Sequence, residues 1–369
     1  EGLGSPEAQG GDIEINATSQ INLADDSLIS NAVEENAVGN GGHITINTGS
    51  LSGKNGSQIS TLILGEGNAG NVTIEASDTV LFEGVGTDQD ASGVLSQVGR
   101  VGNAGDVVIT TGSLLVTNEA QLNTSQFGTG NAGNVEITAD TVRFDSSSVF
   151  STLESNAIGN GGNIRINTGS LEVANGTQLI TDTSGKGNAG NVQIKADTVT
   201  FDNGKVFASV RPKAMGNSGT VTINASKAVT FDNESLIFTD VEEGGIGDGG
   251  DININTDSLS VTNQSQISAS TFGTGDAGNV NITGNIVNLS NSQVFARVQT
   301  VAIGNGGDIK INTGSLELTN DAQLTTSTFG KGNGGNINIT ANNTVALDAL
   351  LATSTFGKGN GGNINITAN

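Results

Sequence analysis

Apolar residues recur along the whole chain in short alternating segments, and none of them has helical spacing. In a typical segment, Ile164–Ile166, two apolar side chains flank a polar one. Residues two apart in a strand point to the same side, so this pattern predicts a short strand with one apolar face. A second segment, Leu171–Val173, starts five residues later, and a third is centred on Leu179 with Thr181 nearby. The pattern therefore predicts three short strands in each repeat.

A glycine-rich motif precedes the first segment of every repeat. It reads Gly-Asn-Gly-Gly or Gly-Asn-Ala-Gly in most copies, and a weaker copy lies at residues 10–15. Most copies are 28 or 29 residues apart, and the extremes are 27 and 35 residues. The second residue of the motif is Asn40, Asn68, Asn103, Asn131, Asn160, Asn188, Asn217, Asp248, Asp276, Asn305, Asn333 and Asn360. The chain thus contains twelve full repeats and a partial thirteenth.

Repeats of this length with three strands each predict an all-β fold, a right-handed parallel β-helix. We expect 12–13 coils of about 28–29 residues, stacked so that each strand pairs with its equivalent in the next coil. The glycines of the motif are expected to adopt positive φ angles, and its asparagines to form hydrogen-bonded ladders at the turns. Residues 1–369 are interpreted as a single β-helix repeat domain.

The repeats are of two types that mostly alternate, which gives a period of 57 residues. Type A contains Asn-Thr-Gly-Ser-Leu and ends in Phe-Gly, whereas type B contains Ala-Asp-Thr-Val-x-Phe-Asp. Two stretches are irregular: residues 80–102 carry an insertion, and residues 187–246 contain a phase slip in the alternation. Residues 353–369 copy residues 326–342 letter for letter, which indicates recent duplication and a fragment of a longer array.

The repeat consensus GNGGxIxINTGSLxVxNxAQIxxSTFGxGNAGNVxIxAxxVxF resembles the repeat regions of large filamentous-haemagglutinin-like proteins. The best matching stretches are residues 159–201 and 304–341. Proteins of this family are exported by two-partner secretion, and the glycine- and asparagine-rich variety is similar to the cyanobacterial type. The resemblance implies an extracellular or outer cell-surface location, adhesion and long fibres. The implied partners are the cell surface, the extracellular matrix or other copies of the chain, through end-to-end or lateral self-assembly.

Composition narrows the function classes further. The formal net charge of −23 disfavours nucleic acid as a partner, because phosphate contacts need clustered Lys and Arg. No apolar run is long enough to predict a membrane span. The chain has no cysteine and one histidine, His43, which we interpret as a surface residue at a variable position. This composition argues against a transition-metal site and a nucleophile–histidine pair. No catalytic or cofactor-binding residue is expected.

The alternative function is a carbohydrate-binding or polysaccharide-cleaving β-helix. Such enzymes gather carboxylates on one sheet face, often with Arg or Lys. No cluster across adjacent coils is expected here, and the weaker candidates are Asp88 and Asp90 in the insertion, Glu242 and Glu243 near Asp240, and the cations Arg100, Arg211 and Lys213.

Calcium is the one cofactor considered, because carboxylate and amide oxygens at turns suit a hard cation. The candidate ligands are Asp248, Asp251, Asp276 and Asp308, with turn formation as the favoured interpretation. The phenylalanines of the second segment (Phe144, Phe201, Phe231) and of the third (Phe150, Phe207, Phe295) are expected to stack inside the coil.

Overall fold

A computed structural model describes residues 9–368, and this part of the chain contains strands but no helix. Parallel strands stack as a β-solenoid of about 12 turns with about 29 residues per coil, which confirms the predicted fold class. Within these residues there is accordingly no helix long and apolar enough to cross a membrane. Two compact units are distinguished: unit 1 comprises Glu1–Thr181 with Gly185–Gly187, and unit 2 comprises Asp182–Ser184 with Asn188–Asn369.

Unit 1 contains thirteen strands in its described part. They are β1 (Ile13–Asn16), β2 (Gln20–Leu23), β3 (Leu28–Ser30), β4 (Ile44–Lys54), β5 (Gln58–Ile63), β6 (Val72–Glu83), β7 (Gly93–Val98), β8 (Val107–Thr117), β9 (Gln121–Asn123), β10 (Val135–Asp145), β11 (Ser148–Phe150), β12 (Ile164–Ala174) and β13 (Gln178–Ile180). From β4 onwards, a long strand alternates with a shorter one, and each pair belongs to one coil.

Unit 2 repeats this order in the part that the structure describes. Its strands are β14 (Val192–Asp202), β15 (Lys205–Phe207), β16 (Val221–Asp232), β17 (Leu236–Phe238), β18 (Ile252–Val261), β19 (Gln266–Ser268), β20 (Val280–Ser290), β21 (Gln293–Phe295), β22 (Ile309–Thr325), β23 (Ile337–Ala352) and β24 (Ile364–Ala368). β22 and β23 are longer than the other strands, because each contains all three segments of its coil.

The first two predicted segments of each repeat are joined in one continuous, bent strand. In β12, the buried side chains are Ile164, Ile166 and Thr168, then Leu171 and Val173. The step of three residues after Thr168 breaks the strict alternation and leaves two consecutive side chains outside, which marks a corner of the coil. The third predicted segment is the short strand, so each coil has three faces.

Parallel register aligns equivalent side chains of successive coils inside the solenoid. Val135 of β10 pairs with Val107 of β8 on one side and with Ile164 of β12 on the other. All three side chains are fully buried. One inward hydroxyl of the third face, Thr124 Oγ1, donates to the carbonyl of Gly133 at 2.7 Å, whereas the buried hydroxyls of Thr271 and Thr328 have no hydrogen-bond partner among the described residues. The core is therefore a set of columns, each built from one position of the repeat.

The glycine motif brings the backbones of successive coils into close contact. Its first glycine has a positive φ, for example 139° at Gly130, as the sequence predicts. Its last glycine is needed for a different reason, because a Cβ on Gly133 would overlap the carbonyl oxygen of Gly105 in the preceding coil. Unit 2 contains the same arrangement, in which a Cβ on Gly278 would overlap the carbonyl oxygen of Gly250.

Two ladders of polar side chains run beside the glycine motif, and their existence confirms the predicted asparagine ladders. In the first ladder, the side-chain oxygen of Asn103 accepts from the backbone N–H of Asn131 at 2.9 Å, and Asn131 does the same for Asn160. The second ladder starts three residues later in each coil. There, Asp106 Oδ1 accepts from the N–H of Asn134 at 2.7 Å. In unit 2 both ladders continue with Asn and Asp in either role.

The only histidine is a member of the second ladder. His43 Nδ1 accepts from the backbone N–H of Asn71 at 3.0 Å, and the N–H of His43 donates to Asp12 Oδ1 at 2.8 Å. The side chain is exposed, as the sequence predicts, but it takes the acceptor role that Asn or Asp has in other coils. Its role in the structure is therefore to link coils.

Both irregular stretches of the sequence are accommodated without breaking the columns. The insertion in residues 80–102 lies between β6 and β7, where Val85 and Ala91 form an antiparallel bridge. In the phase-slip stretch, β16 carries one extra residue relative to β14 between Ala225 and Ala228. Such a bulge absorbs an insertion locally, so the inward positions on both sides keep their partners.

We predict that Gly133→Ala destabilises unit 1 by roughly 1–3 kcal/mol, because the new methyl group overpacks the contact with Gly105. Gly11→Ala is the matched control, since a Cβ at Gly11 would meet no atom within 4 Å. Denaturant unfolding followed by circular dichroism measures both free energies of unfolding. Equal stability of the two variants would contradict the packing role of the motif.

Candidate functional site

Buried charges are concentrated on the outer side of the third face in unit 2. Asp182 has a side chain that is 3 % exposed and forms an ion pair with Arg211 in the next coil. A second nitrogen of Arg211 lies 2.8 Å from Glu242 Oε1, one coil further on. Arg211 therefore bridges carboxylates on both sides. The sequence predicts no acidic cluster across adjacent coils, and for these residues that prediction is wrong.

A second buried aspartate, Asp240, belongs to the same group and is connected to Asp182 through Ser209. Asp182 Oδ1 accepts from the backbone N–H of Ser209 at 2.6 Å, and Ser209 Oγ accepts from the N–H of Asp240 at 3.2 Å. Asp240 Oδ1 in turn accepts from Ser268 Oγ at 2.8 Å and from the N–H of Ser270 at 2.6 Å. We call Asp182, Arg211, Asp240, Glu242 and the nearby Arg297 the acid–arginine cluster.

Burial dominates the electrostatics of both aspartates. It raises the pKa of Asp182 to about 6, despite the opposing effect of Arg211. It raises the pKa of Asp240 to about 7, although hydrogen bonds from Ser270 and Ser268 favour the ionised form. Asp240 is 5 % exposed, so its carboxylate is covered by protein and does not face solvent directly. Protonation of this group is consequently coupled to the packing around it.

Phenylalanine rings lie beside the cluster on the same outer surface. The guanidinium of Arg211 lies 5.1 Å from the ring centroid of Phe207, and that of Arg297 lies 3.4 Å from the centroid of Phe295. Such contacts between a planar cation and an aromatic face are attractive. Phe207 and Phe238 contact each other across adjacent coils, with centroids 5.7 Å apart. Apolar and cationic groups thus lie side by side here, although Phe295 itself is only 3 % exposed.

This arrangement corrects part of the expected aromatic packing. Second-segment phenylalanines do stack inside the coil, as Phe201 and Phe231 show with centroids 4.9 Å apart. The third-segment residues Phe150, Phe207 and Phe295 alternate with fully buried valines and therefore lie on the outer side of their strands. For these three, the expectation of an internal stack is wrong. In unit 2 a trough of about 460 Å³ lies along β15, β17 and β19, and it is lined by Asn203, Lys205, Glu234, Leu236, Gln264 and Gln266.

The other candidate residues are not brought into this cluster. Lys213 and Glu243 are exposed in the turns that follow Arg211 and Glu242, and Lys213 has a φ of 67°. Asp88 and Asp90 are exposed at the tip of the insertion in unit 1. Arg211 and Glu242 were candidates from the sequence, but Asp182 was not. The sequence feature that could have indicated Asp182 is that it and Asp240 occupy a position that is Ser or Thr in most other coils.

The four calcium candidates are divided between the two polar ladders. Asp248 and Asp276 belong to the first ladder, where their Oδ1 atoms accept backbone N–H groups of the next coil at 2.9 and 2.7 Å. Asp251 and Asp308 belong to the second ladder and accept in the same way. Over residues 9–368, no group of three or more His, Cys, Asp or Glu side chains is placed to hold a metal ion. These aspartates therefore act as links between coils in this structure.

Comparison with models of known families, with curated proteins and with solved structures finds no match to this chain.

The raised pKa of Asp240 predicts a pH-dependent stability. Because its pKa is about 7 when folded and about 3.9 when unfolded, Asp240 stabilises the fold fully below pH ~4, and this contribution is lost as the pH rises through ~7. Asp240→Asn keeps an acceptor oxygen and removes the charge. We expect the variant to gain on the order of 2–4 kcal/mol over the parent at pH 8 and little at pH 4.

Denaturant unfolding at the two pH values measures this difference. Asp321→Asn is the control, because Asp321 is an exposed aspartate of β22 in the same unit. A gap between Asp240→Asn and the parent that stays constant from pH 4 to pH 8 would refute the assignment.

Proposed function

We propose that this chain is a structural and adhesive rod from an exported surface or extracellular fibre protein. The observation that supports it best is the uniformity of the contacts between coils within each unit. Strand ladders, the glycine contact and two polar ladders recur from coil to coil, for example from β8 to β10 to β12. A repeat array held together by the same contacts at each step can be lengthened without new interactions.

The resemblance to filamentous-haemagglutinin-like repeats supports export by two-partner secretion, and the acidic surface supports solubility outside the cell. Outward side chains vary between coils while inward columns do not, which suits a scaffold that presents different ligand contacts along its length. The proposal assigns no catalysis and no cofactor to the chain. Its partners would be a cell surface, extracellular matrix or other copies of itself.

Surface location is tested on intact cells that make the parent protein. Antibody raised against the chain is expected to label unpermeabilised cells or the culture medium, and added protease should remove the label. A cytoplasmic protein of the same cells serves as the control and should stay protected. Protection of the chain until the cells are lysed would overturn the proposal.

The second candidate function is carbohydrate binding, and the acid–arginine cluster with its phenylalanines favours it. The half-buried rings of Phe207 and Phe238 and the guanidinium of Arg211 suit stacking against sugar rings. The trough beside them is lined by three amide side chains together with Lys205, Glu234 and Leu236. The cationic side chains of Arg211 and Arg297 favour an acidic polysaccharide. The same surface would serve an adhesive fibre, so the two functions are compatible.

Affinity electrophoresis in gels containing polygalacturonate or a neutral glucan tests this candidate. We expect retardation by the acidic polymer only, and Phe238→Ala should weaken it about tenfold, or ~1.4 kcal/mol. Ile286→Ala is the control, because Ile286 is 48 % exposed in the same unit but lies outside the cluster. Equal mobility in both gels would exclude binding, and release of new sugar ends would indicate the polysaccharide-cleaving alternative.

A further inference from the structure

Exposed apolar side chains are concentrated in one segment of the coil, between the third face and the next glycine motif. Sixteen large apolar residues are exposed in the described chain, and ten of them belong to this segment. In unit 1 they are Val38, Leu64, Val101, Phe127 and Ile158, and in unit 2 they are Met215, Ile246, Val301, Ile303 and Phe356. We call the surface that they form the apolar corner of each unit. Contiguous exposed apolar surface usually marks an interaction site.

Coil type decides which position of the corner is apolar. Type B coils place a residue directly before the first glycine of the motif, such as Val101 or Ile158, each about half exposed. Type A coils instead use the Phe-Gly pair two residues earlier, as at Phe127. Parallel bridges join Val101 to Thr129 and Thr129 to Ile158, so these positions form a line along the unit. The corner therefore has two parallel columns, filled in alternate coils.

The charges at the two corners are of opposite sign. In unit 1 the corner segments carry four acidic and two basic side chains: Glu34, Glu35, Glu66, Glu154, Arg100 and Lys186. In unit 2 they carry Arg211, Lys213, Lys331, Lys358, Glu242 and Glu243, and with Asp182, Asp240 and Arg297 directly beside these the excess is one positive charge. A basic excess is unexpected in a chain with a net charge of −23. The two corners are thus both apolar and electrostatically complementary.

We propose that the apolar corner of unit 1 packs against the apolar corner of unit 2 in a second copy of this chain, with the two chains antiparallel. A second copy has the same rise per coil, about 4.8 Å, so apolar side chains can meet repeatedly along the contact. Antiparallel packing also lets each of the two columns face its own equivalent. Other partners would have to reproduce both the spacing and the charge.

One antiparallel register matches the residues closely. Successive coils of unit 1 read forwards, and those of unit 2 read backwards, give the pairs Leu64 with Phe329, Glu66 with Lys331, Val101 with Ile303, Phe127 with Phe272, and Ile158 with Ile246. Phe272 and Phe329 are half-buried and border the exposed residues of the corner. Aromatic meets aromatic, β-branched meets β-branched, and a glutamate meets a lysine. The parallel register that also faces Phe127 with Phe272 places Lys186 opposite Lys331 and Glu66 opposite Met215. The antiparallel register also places Glu154 opposite Glu242, so the columns rather than the charges select it, because each column faces its own equivalent only in that arrangement.

Disulfide cross-linking tests the register directly, because the chain has no cysteine of its own. Ile158→Cys chains carrying an affinity tag are mixed with untagged Ile246→Cys chains and oxidised under air with copper phenanthroline. We expect the mixed dimer of Ile158→Cys with Ile246→Cys to form at least about tenfold faster than that of Ile158→Cys with Ile303→Cys. Ile303 is the residue that faces Ile158 in the parallel register. Faster cross-linking of Ile158→Cys with Ile303→Cys would overturn the antiparallel arrangement.

Analytical ultracentrifugation tests the association itself. The full chain is expected to sediment as a dimer, and Ile246→Asp should shift it to monomer, whereas Ile286→Asp outside the corner should not. Glu66→Lys should weaken dimerisation about tenfold, and adding Lys331→Glu should restore it. A parent chain that stays monomeric at ~100 µM would overturn the proposal, and its surface location would be unaffected by that result.

Discussion

The close approach of successive glycine motifs is the constraint on which the rest of each unit depends. At Gly133 the backbone passes so near the carbonyl oxygen of Gly105 that no side chain can fit between them. That contact sets the register of the coil, since the Asn and Asp residues beside it then meet the N–H groups of the next coil. The register in turn aligns every inward column. Steric exclusion at one position thus determines which hydrogen bonds and which core contacts form.

Fixing the inward columns leaves the outward positions free to vary. Even a position that links coils tolerates different residues, because Asn, Asp and a histidine nitrogen all accept from the equivalent N–H group of the next coil. Outward columns on the third face range from Ser to Asp to Arg in successive coils. Any property that distinguishes one coil from another must therefore come from the outward positions and the turns. The acid–arginine cluster and the apolar corners are both of this kind.

Much of the fold follows from the sequence because glycine motifs and alternating residues report local requirements. Coil length, the inward columns and the ladders were all predictable in this way. The burial of Asp182 and the covering of Phe207 by Arg211 were not, because alternation says only that a side chain points outward. Whether an outward side chain is exposed depends on the columns beside it, and here Phe207 and Arg211 flank and cover that surface. Burial on the outside of a strand is a tertiary effect that periodicity does not report.

The buried aspartates argue that this surface is not shaped by stability alone. Serine occupies the equivalent positions at Ser209 and Ser270, so an uncharged residue fits the column. Replacing serine by a carboxylate that burial holds near neutrality costs stability at neutral pH, and a partly buried ion pair compensates incompletely. A residue that is unfavourable for folding and unnecessary for packing is better explained by its neighbours. Asp182 holds Arg211 in place over Phe207, so the aspartate fixes the orientation of an outward cation.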